Sequence, residues 1–113
     1  MKLSAFAVSA ALLLWPNASS ARSLTPAQIE VYEAVMIAEI LVGKCSQQSI
    51  SRNVGRINEV TAEVGIVQAD FADERAGSTW DRLSAEMGEL TDSDCAAYYK
   101  KMGPDGSGLL TIY

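Results

Sequence analysis

The first pattern along the chain is a helix that is apolar on nearly every side. Thr25 precedes Pro26, and Gln28 stands three positions after Thr25, which is the spacing of a capping box with proline at the first helical position. The sequence therefore predicts a helix from Pro26 to about Val42, with Gly43 just past its end. Only three glutamates interrupt its apolar surface. A helix of this kind is normally buried on most of its sides.

The same helix carries the candidate interaction surface. Only about seventy residues follow it, and a chain of that length has difficulty covering a helix that is apolar all round. We therefore expect part of the helix to contact another protein or a second copy of this chain. The candidate interaction face consists of Val31, Val35, Leu41 and Val42. The alternative is a central helix that the other helices cover.

A second apolar stripe keeps the phase of a single helix from Ile50 to Phe71. Because the phase is retained, the pattern predicts one long helix over residues 49–75. Gly55 and Gly65 lie on its outer face, where each costs up to about 1 kcal/mol relative to alanine. A break at Gly65 is the alternative.

Two shorter amphipathic helices follow. Gly77 is expected to end the second helix, and the next apolar stripe predicts a third helix over residues 79–90. Thr91 and Asp94 have the spacing of another capping pattern, which predicts the start of a fourth helix. Gly103, followed by a proline, is expected to end that helix.

The remaining residues predict a turn and a strand-like end at 109–113, within an irregular C-terminal tail. The fold class is accordingly all-α: a small bundle of about four helices, closed by one disulfide. Residues 22–113 are predicted to form a single helical domain.

Cys45 and Cys95 are the only cysteines, and we predict that they form the disulfide. A cross-link that closes a loop of about fifty residues is worth roughly 4 kcal/mol on the chain-entropy model. A catalytic redox pair is the alternative, but such pairs usually stand close together as C-x-x-C.

The amino end has the layout of a cleavable signal peptide. Lys2 provides the positive charge, residues 3–15 are mostly apolar, and small residues lead up to Ala21. We predict a signal peptide over residues 1–21 with cleavage after Ala21, or alternatively after Ala18. Thirteen apolar residues span about 20 Å as a helix, too little for a bilayer core of roughly 30 Å. The expected location is the periplasm or the exterior, with no membrane insertion after cleavage.

Composition removes several classes of function. The chain has 113 residues and no histidine, so it lacks the commonest general base and transition-metal ligand. No catalytic, cofactor-binding or metal-binding motif stands out, and we predict that the protein is not an enzyme and uses no cofactor. Without residues 1–21 the chain holds 8 basic and 14 acidic residues, a net charge of −6. Such a balance disfavours nucleic acid as a partner.

These observations favour a small, exported, non-enzymatic module that binds another protein, as inhibitor and immunity proteins do. The second of two alternatives to this reading is a carrier of a small ligand or lipid. Its cavity would be lined by Tyr32, Met36, Trp80, Met87, Tyr98 and Met102.

The first alternative comes from the layout of the chain. A signal peptide, about ninety further residues, helices only, and two cysteines nearly fifty residues apart are together similar to the HdeA-type periplasmic chaperones. The resemblance implies an acid-stress chaperone. Protonation of 14 carboxylates would leave a net charge of about +8, which would loosen the fold and expose the first helix.

Overall fold

The computed structural model describes residues 21–113, and nearly all of the predicted signal peptide therefore lies outside the described residues. The fold is mostly helical, with four α-helices and one disulfide, as the sequence predicts. The helices are α1 (Pro26–Lys44), α2 (Val54–Val64), α3 (Glu74–Met87) and α4 (Asp92–Met102). Two short strands, β1 (Ile50–Arg52) and β2 (Leu110–Ile112), and two 3₁₀ turns, Ser46–Gln48 and Gln68–Phe71, complete the domain.

Helix α1 begins as its capping box predicts. The Thr25 hydroxyl accepts a hydrogen bond from the backbone N–H of Gln28 at 3.2 Å, and the Gln28 side chain accepts one from the backbone N–H of Thr25 at 2.9 Å. The helix runs two residues past Val42 and ends at Lys44. Its buried residues face several directions, so α1 is the central helix of the domain. They are Tyr32, Val35, Met36, Ala38, Ile40 and Leu41.

The predicted long helix over residues 49–75 is wrong, and the alternative break at Gly65 is right. Gly65 has φ +79°, in the left-handed region that glycine enters without strain, and there it ends α2. Ser49 also has a positive φ, so the chain enters strand β1 before Asn53 caps α2. Ile50 belongs to the same apolar stripe as the residues of α2, but it is buried in strand β1 and not in a helix. Its side chain is 2% exposed.

Helix α3 begins earlier than predicted. The side chain of Asp73 accepts the backbone N–H of Arg75 at 3.0 Å and caps the helix at Glu74, five residues before the predicted start. Gly77 therefore lies inside α3 and ends no helix. Helix α4 has its predicted Thr91 cap and ends at Gly103.

The hydrophobic core has two parts, on different sides of α1. One contains the disulfide between Cys45 and Cys95, together with Leu41 and Leu110, and every one of these residues is at most 2% exposed. In this part β1 and β2 pair antiparallel, with Ser51 opposite Thr111. The strand-like end predicted from the sequence is thus a paired strand.

The other part lies between α1, α2 and α3. Its buried members are Tyr32, Met36, Ile40, Ile66 and Leu83. Among residues 21–113, no helix is long and apolar enough to cross a membrane.

Candidate functional site

The sequence-predicted interaction face does not form a free surface of the folded domain. Leu41 is fully buried and Val35 is 4% exposed, while Val31 and Val42 are half-buried. The reason is that β1 and helices α2 and α3 pack directly on α1. This placement matches the alternative of a covered central helix.

An open groove lies between α2 and α3, with α1 as its floor. We call it the α2–α3 groove, and its volume is about 770 Å³. It is lined by Val35, Met36, Glu39, Arg52, Val54, Ile57, Asn58, Thr61, Ile66, Val67, Gln68, Phe71, Ala76, Gly77 and Trp80. Of the six residues predicted to line a carrier cavity, it includes Met36 and Trp80.

Helical periodicity builds both walls. Val54, Ile57 and Thr61 recur on one face of α2 at the i, i+3 and i+7 positions. On α3, Gly77 and Trp80 face the groove. The 3₁₀ turn Gln68–Phe71 joins the two walls at one end.

The rim of the groove gathers exposed apolar side chains. Val54 is 57% exposed, Val67 is 55% exposed and Trp80 is 39% exposed. Single exposed apolar residues are ordinary on protein surfaces, but several around one concavity are typical of an interaction site. Trp80 is the rim residue that the apolar pattern predicted to line a cavity, whereas Val54 and Val67 belonged to the apolar stripe of the predicted long helix and were not predicted to line a site.

The groove also has a polar edge. Arg52 of β1 and Glu39 of α1 form an ion pair at 3.0 Å there, and their side chains are 51% and 32% exposed. Asn58 and Gln68 add amides to the lining, and the Thr61 hydroxyl donates to the carbonyl of Ile57 at 2.9 Å. The edge offers hydrogen-bonding groups beside an apolar floor.

A buried carboxylate fixes the 3₁₀ turn at the end of the groove. Asp70 is 3% exposed and accepts two hydrogen bonds from the Arg22 guanidinium, each at 2.7 Å, and one from the Val67 N–H at 2.9 Å. The Arg22 guanidinium holds the pKa of Asp70 at about 2, below the ordinary value of 3.8. We call this contact the Arg22–Asp70 clamp.

An aromatic stack supports the clamp from below. Tyr32 and Phe71 stack with ring centroids 4.7 Å apart, and the Tyr32 hydroxyl donates to the backbone carbonyl of Asp70 at 2.9 Å. The Arg75 guanidinium lies 5.4 Å from the centroid of the Tyr32 ring and donates to the Arg22 carbonyl at 2.6 Å. Burial raises the pKa of the Tyr32 hydroxyl, which stays protonated as this donor. The end of the groove is therefore held from several directions.

The Arg22–Asp70 clamp was not predicted from the sequence. Arg22 immediately follows the predicted cleavage site, and Asp70 stands 48 residues away. One signal was present: Asp70 is the single carboxylate in the apolar run Val64–Phe71. A charge within a buried stripe needs a partner.

Two further features of the described residues bear on chemistry. Within residues 21–113, no group of three His, Cys, Asp or Glu side chains is placed to hold a metal ion. A smaller depression of about 270 Å³ lies near the disulfide, lined by Gln48, Ile50, Cys95, Ala96, Tyr99 and Ile112.

Comparison of this chain with protein-family models, with curated proteins and with solved structures found no match in any of the three.

Proposed function

We propose that the protein is a small exported, non-enzymatic binding module whose α2–α3 groove takes an apolar segment of another protein. The observation that carries the proposal is the clustering of Val54, Val67 and Trp80, each more than a third exposed, around one concavity.

The size and composition of the groove support this role. A volume of about 770 Å³ lies within the range of small-molecule sites in proteins, roughly 300–1,000 Å³, and gives room for the apolar side chains of a bound segment. Met36, Ile57 and Phe71 provide an apolar floor, and tryptophan at a rim is among the residue types that contribute most to binding energy. The half-buried Trp80 would lose its remaining contact with water when a partner covers it.

The division of the core also supports it. The disulfide and the strand pair stabilise one part of the core, whereas Met36, Ile66 and Phe71 of the groove lining belong to or pack against the other part. Ile57 connects the two, because it lines the groove and packs against the disulfide cluster. The cross-link thus supports the domain on which the groove is built.

Export rests on the signal-peptide pattern together with the disulfide. A buried disulfide that closes a small domain is typical of proteins that fold outside the reducing cytoplasm. The partner is therefore sought among exported proteins.

The test is site-specific photo-crosslinking in the cells that make the protein. A benzophenone amino acid is placed at Val67, on the rim, and in a control at Ala97, an exposed residue of α4. We expect one dominant protein adduct from position 67, lost when Trp80→Ala is added. Equal adducts from positions 67 and 97, or none from position 67, would contradict the proposal.

A second candidate function is carriage of a small apolar molecule, and the volume of the groove is the observation that favours it. Native mass spectrometry of protein purified without detergent distinguishes the two. A bound small molecule lost in Trp80→Ala supports the carrier, and an unladen mass supports the protein-binding module.

A further inference from the structure

The arginines of the domain are engaged within the chain. Each of the five in residues 21–113 forms an ion pair with a carboxylate of the same domain. They are Arg22, Arg52, Arg56, Arg75 and Arg82. The acidic residues outnumber these arginines, so some carboxylates have no arginine partner and are available to contact other molecules.

Two such carboxylates lie along the α3 wall of the groove. Glu74 and Asp81 are exposed, and within residues 21–113 neither has an ion-pair partner. Glu74, Gly77 and Asp81 follow the i, i+3, i+7 spacing and thus share one face of α3. Gly77 lines the groove, so this acidic face borders the groove at that position, although the two carboxylates are not themselves lining residues.

Gly77 leaves a gap between the two carboxylates. A Cβ atom at this position would meet no other heavy atom within 4 Å, so the space is open. Glycine inside a helix costs about 1 kcal/mol relative to alanine, and no packing contact explains it here. Trp80, which also lines the groove, lies about one turn further along α3.

We infer that the segment bound in the α2–α3 groove is cationic as well as apolar. The inference rests on the proposed function and specifies its partner. One large apolar side chain enters the groove, and a lysine or arginine of the same segment crosses the Gly77 gap between Glu74 and Asp81. There the cation meets two carboxylates and the indole of Trp80, whose ring attracts cations.

The charge of the whole domain supports this occupant over a second copy of the chain. The domain carries a net charge of −6 once the predicted signal peptide is removed, so two copies repel each other. A cationic segment is attracted by the same field, which raises its association rate.

The test uses two synthetic amphipathic peptides of about 14 residues, free of tryptophan. Both have leucines along one helical face, and the other positions are lysine in one peptide and glutamate in its twin. The protein carries Trp15→Phe, so that Trp80 is the only indole whether or not the amino end is removed. Binding is followed by the fluorescence of Trp80.

We expect the lysine peptide to bind at least about ten-fold more tightly than its twin at low salt, with a smaller ratio at high salt. Glu74→Gln with Asp81→Asn should weaken the lysine peptide by about five-fold, the effect of two exposed ion pairs. The matched control, Glu30→Gln with Glu63→Gln, removes the same charge from helix faces that point away from the groove and should change binding by less than about two-fold. Gly77→Leu, which fills the gap without disturbing α3, should also weaken the lysine peptide.

Equal binding of the two peptides, with the acidic-stripe variant matching its control, would overturn the inference and leave an apolar binding groove. Failure of the lysine peptide to change Trp80 fluorescence would also overturn it, and photo-crosslinking at position 67 would then decide the proposed function separately. A dimer on a sizing column that Trp80→Ala dissociates would place a second copy in the groove and overturn it as well.

Discussion

Replacing Asp70 by Asn removes the buried charge that holds the end of the α2–α3 groove. Asp70 is 3% exposed, and its carboxylate accepts both hydrogen bonds of the Arg22 guanidinium. Asparagine has nearly the same shape and still accepts the N–H of Val67, but it no longer attracts Arg22. The variant therefore tests the charge of the clamp with little change in packing.

The pKa of Asp70 sets the magnitude. Lowering it from 3.8 to about 2 corresponds to about 2.5 kcal/mol in favour of the ionised carboxylate. Because the Arg22 side chain is 47% exposed, solvent screens part of this interaction. We expect Asp70→Asn to lower the free energy of unfolding by about 1–2 kcal/mol at pH 7.

The pH dependence follows from the direction of the pKa shift. A carboxyl whose pKa is lower in the folded state stabilises the fold above its unfolded pKa, near 3.8, and loses that contribution as the pH falls through about 2. The difference between wild type and Asp70→Asn should therefore persist down to about pH 4 and shrink between pH 4 and pH 2.

Urea unfolding at pH 7, 4, 3 and 2, followed by Trp80 fluorescence in the Trp15→Phe background, measures the loss of stability at pH 7 and its dependence on pH. Glu63→Gln, which alters an exposed carboxylate on α2, is the control and should leave stability unchanged. An Asp70→Asn variant as stable as wild type at pH 7, or a difference that stays constant down to pH 2, would refute the reasoning. The series also bears on the acid-stress chaperone alternative, because the clamp should resist acid until well below pH 4.

Three further predictions concern stability. Replacing both Cys45 and Cys95 by alanine should lower the free energy of unfolding by roughly 4 kcal/mol, as measured by urea unfolding. A loss below about 1 kcal/mol would contradict the stabilising role given to the disulfide. Gly65→Ala should lower the free energy of unfolding by about 1–2 kcal/mol, because Gly65 has φ +79°. Gly77→Ala should raise it by up to about 1 kcal/mol, because alanine favours a helix more than glycine does. Thermal unfolding of the two variants should therefore show opposite shifts in Tm. In Gly106→Ala the Cβ would clash with the backbone carbonyl oxygen of Lys101, so hydrogen exchange at the end of α4 should accelerate, and unchanged exchange would contradict that contact.

Local signals predicted the starts of α1 and α4 correctly. The capping boxes at Thr25 and Thr91 depend on residues three positions apart, and both have the predicted hydrogen bonds. The disulfide was also predictable, because the chain has only two cysteines. These features need no information about distant parts of the fold.

Apolar periodicity predicted the wrong element where a strand, a helix and a turn follow one another along a single apolar stripe. The apolar stripe from Ile50 to Phe71 continues through a strand, a helix and a 3₁₀ turn. The strand buries Ile50, and the helix contributes the partly buried Ile57, Val60 and Val64 to the core. Gly65 was the one local sign of the break, and its cost in a helix was too small to decide the matter. The pairing of Ile50 with Ile112 joins residues far apart in the sequence.

The groove was harder to predict for the same reason. Its walls come from α2 and α3, and the positions of both depend on breaks that the pattern did not show. Trp80 was identified as a lining residue from the apolar stripe of α3, but the exposure of Val54 and Val67 depends on how α2 and the following turn pack. The Arg22–Asp70 clamp joins residues 48 positions apart and has no sequence spacing that reveals it.

The central claim is that the α2–α3 groove is the binding surface, and its most direct test is an NMR titration of the ¹⁵N-labelled protein with the lysine peptide. The account predicts that the indole N–H of Trp80 and the backbone amides of Asn58, Val67 and Gly77 shift together, while Thr111 and Ala97 stay unchanged. Shifts centred on β2 and α4, with the Trp80 indole unmoved, would contradict it.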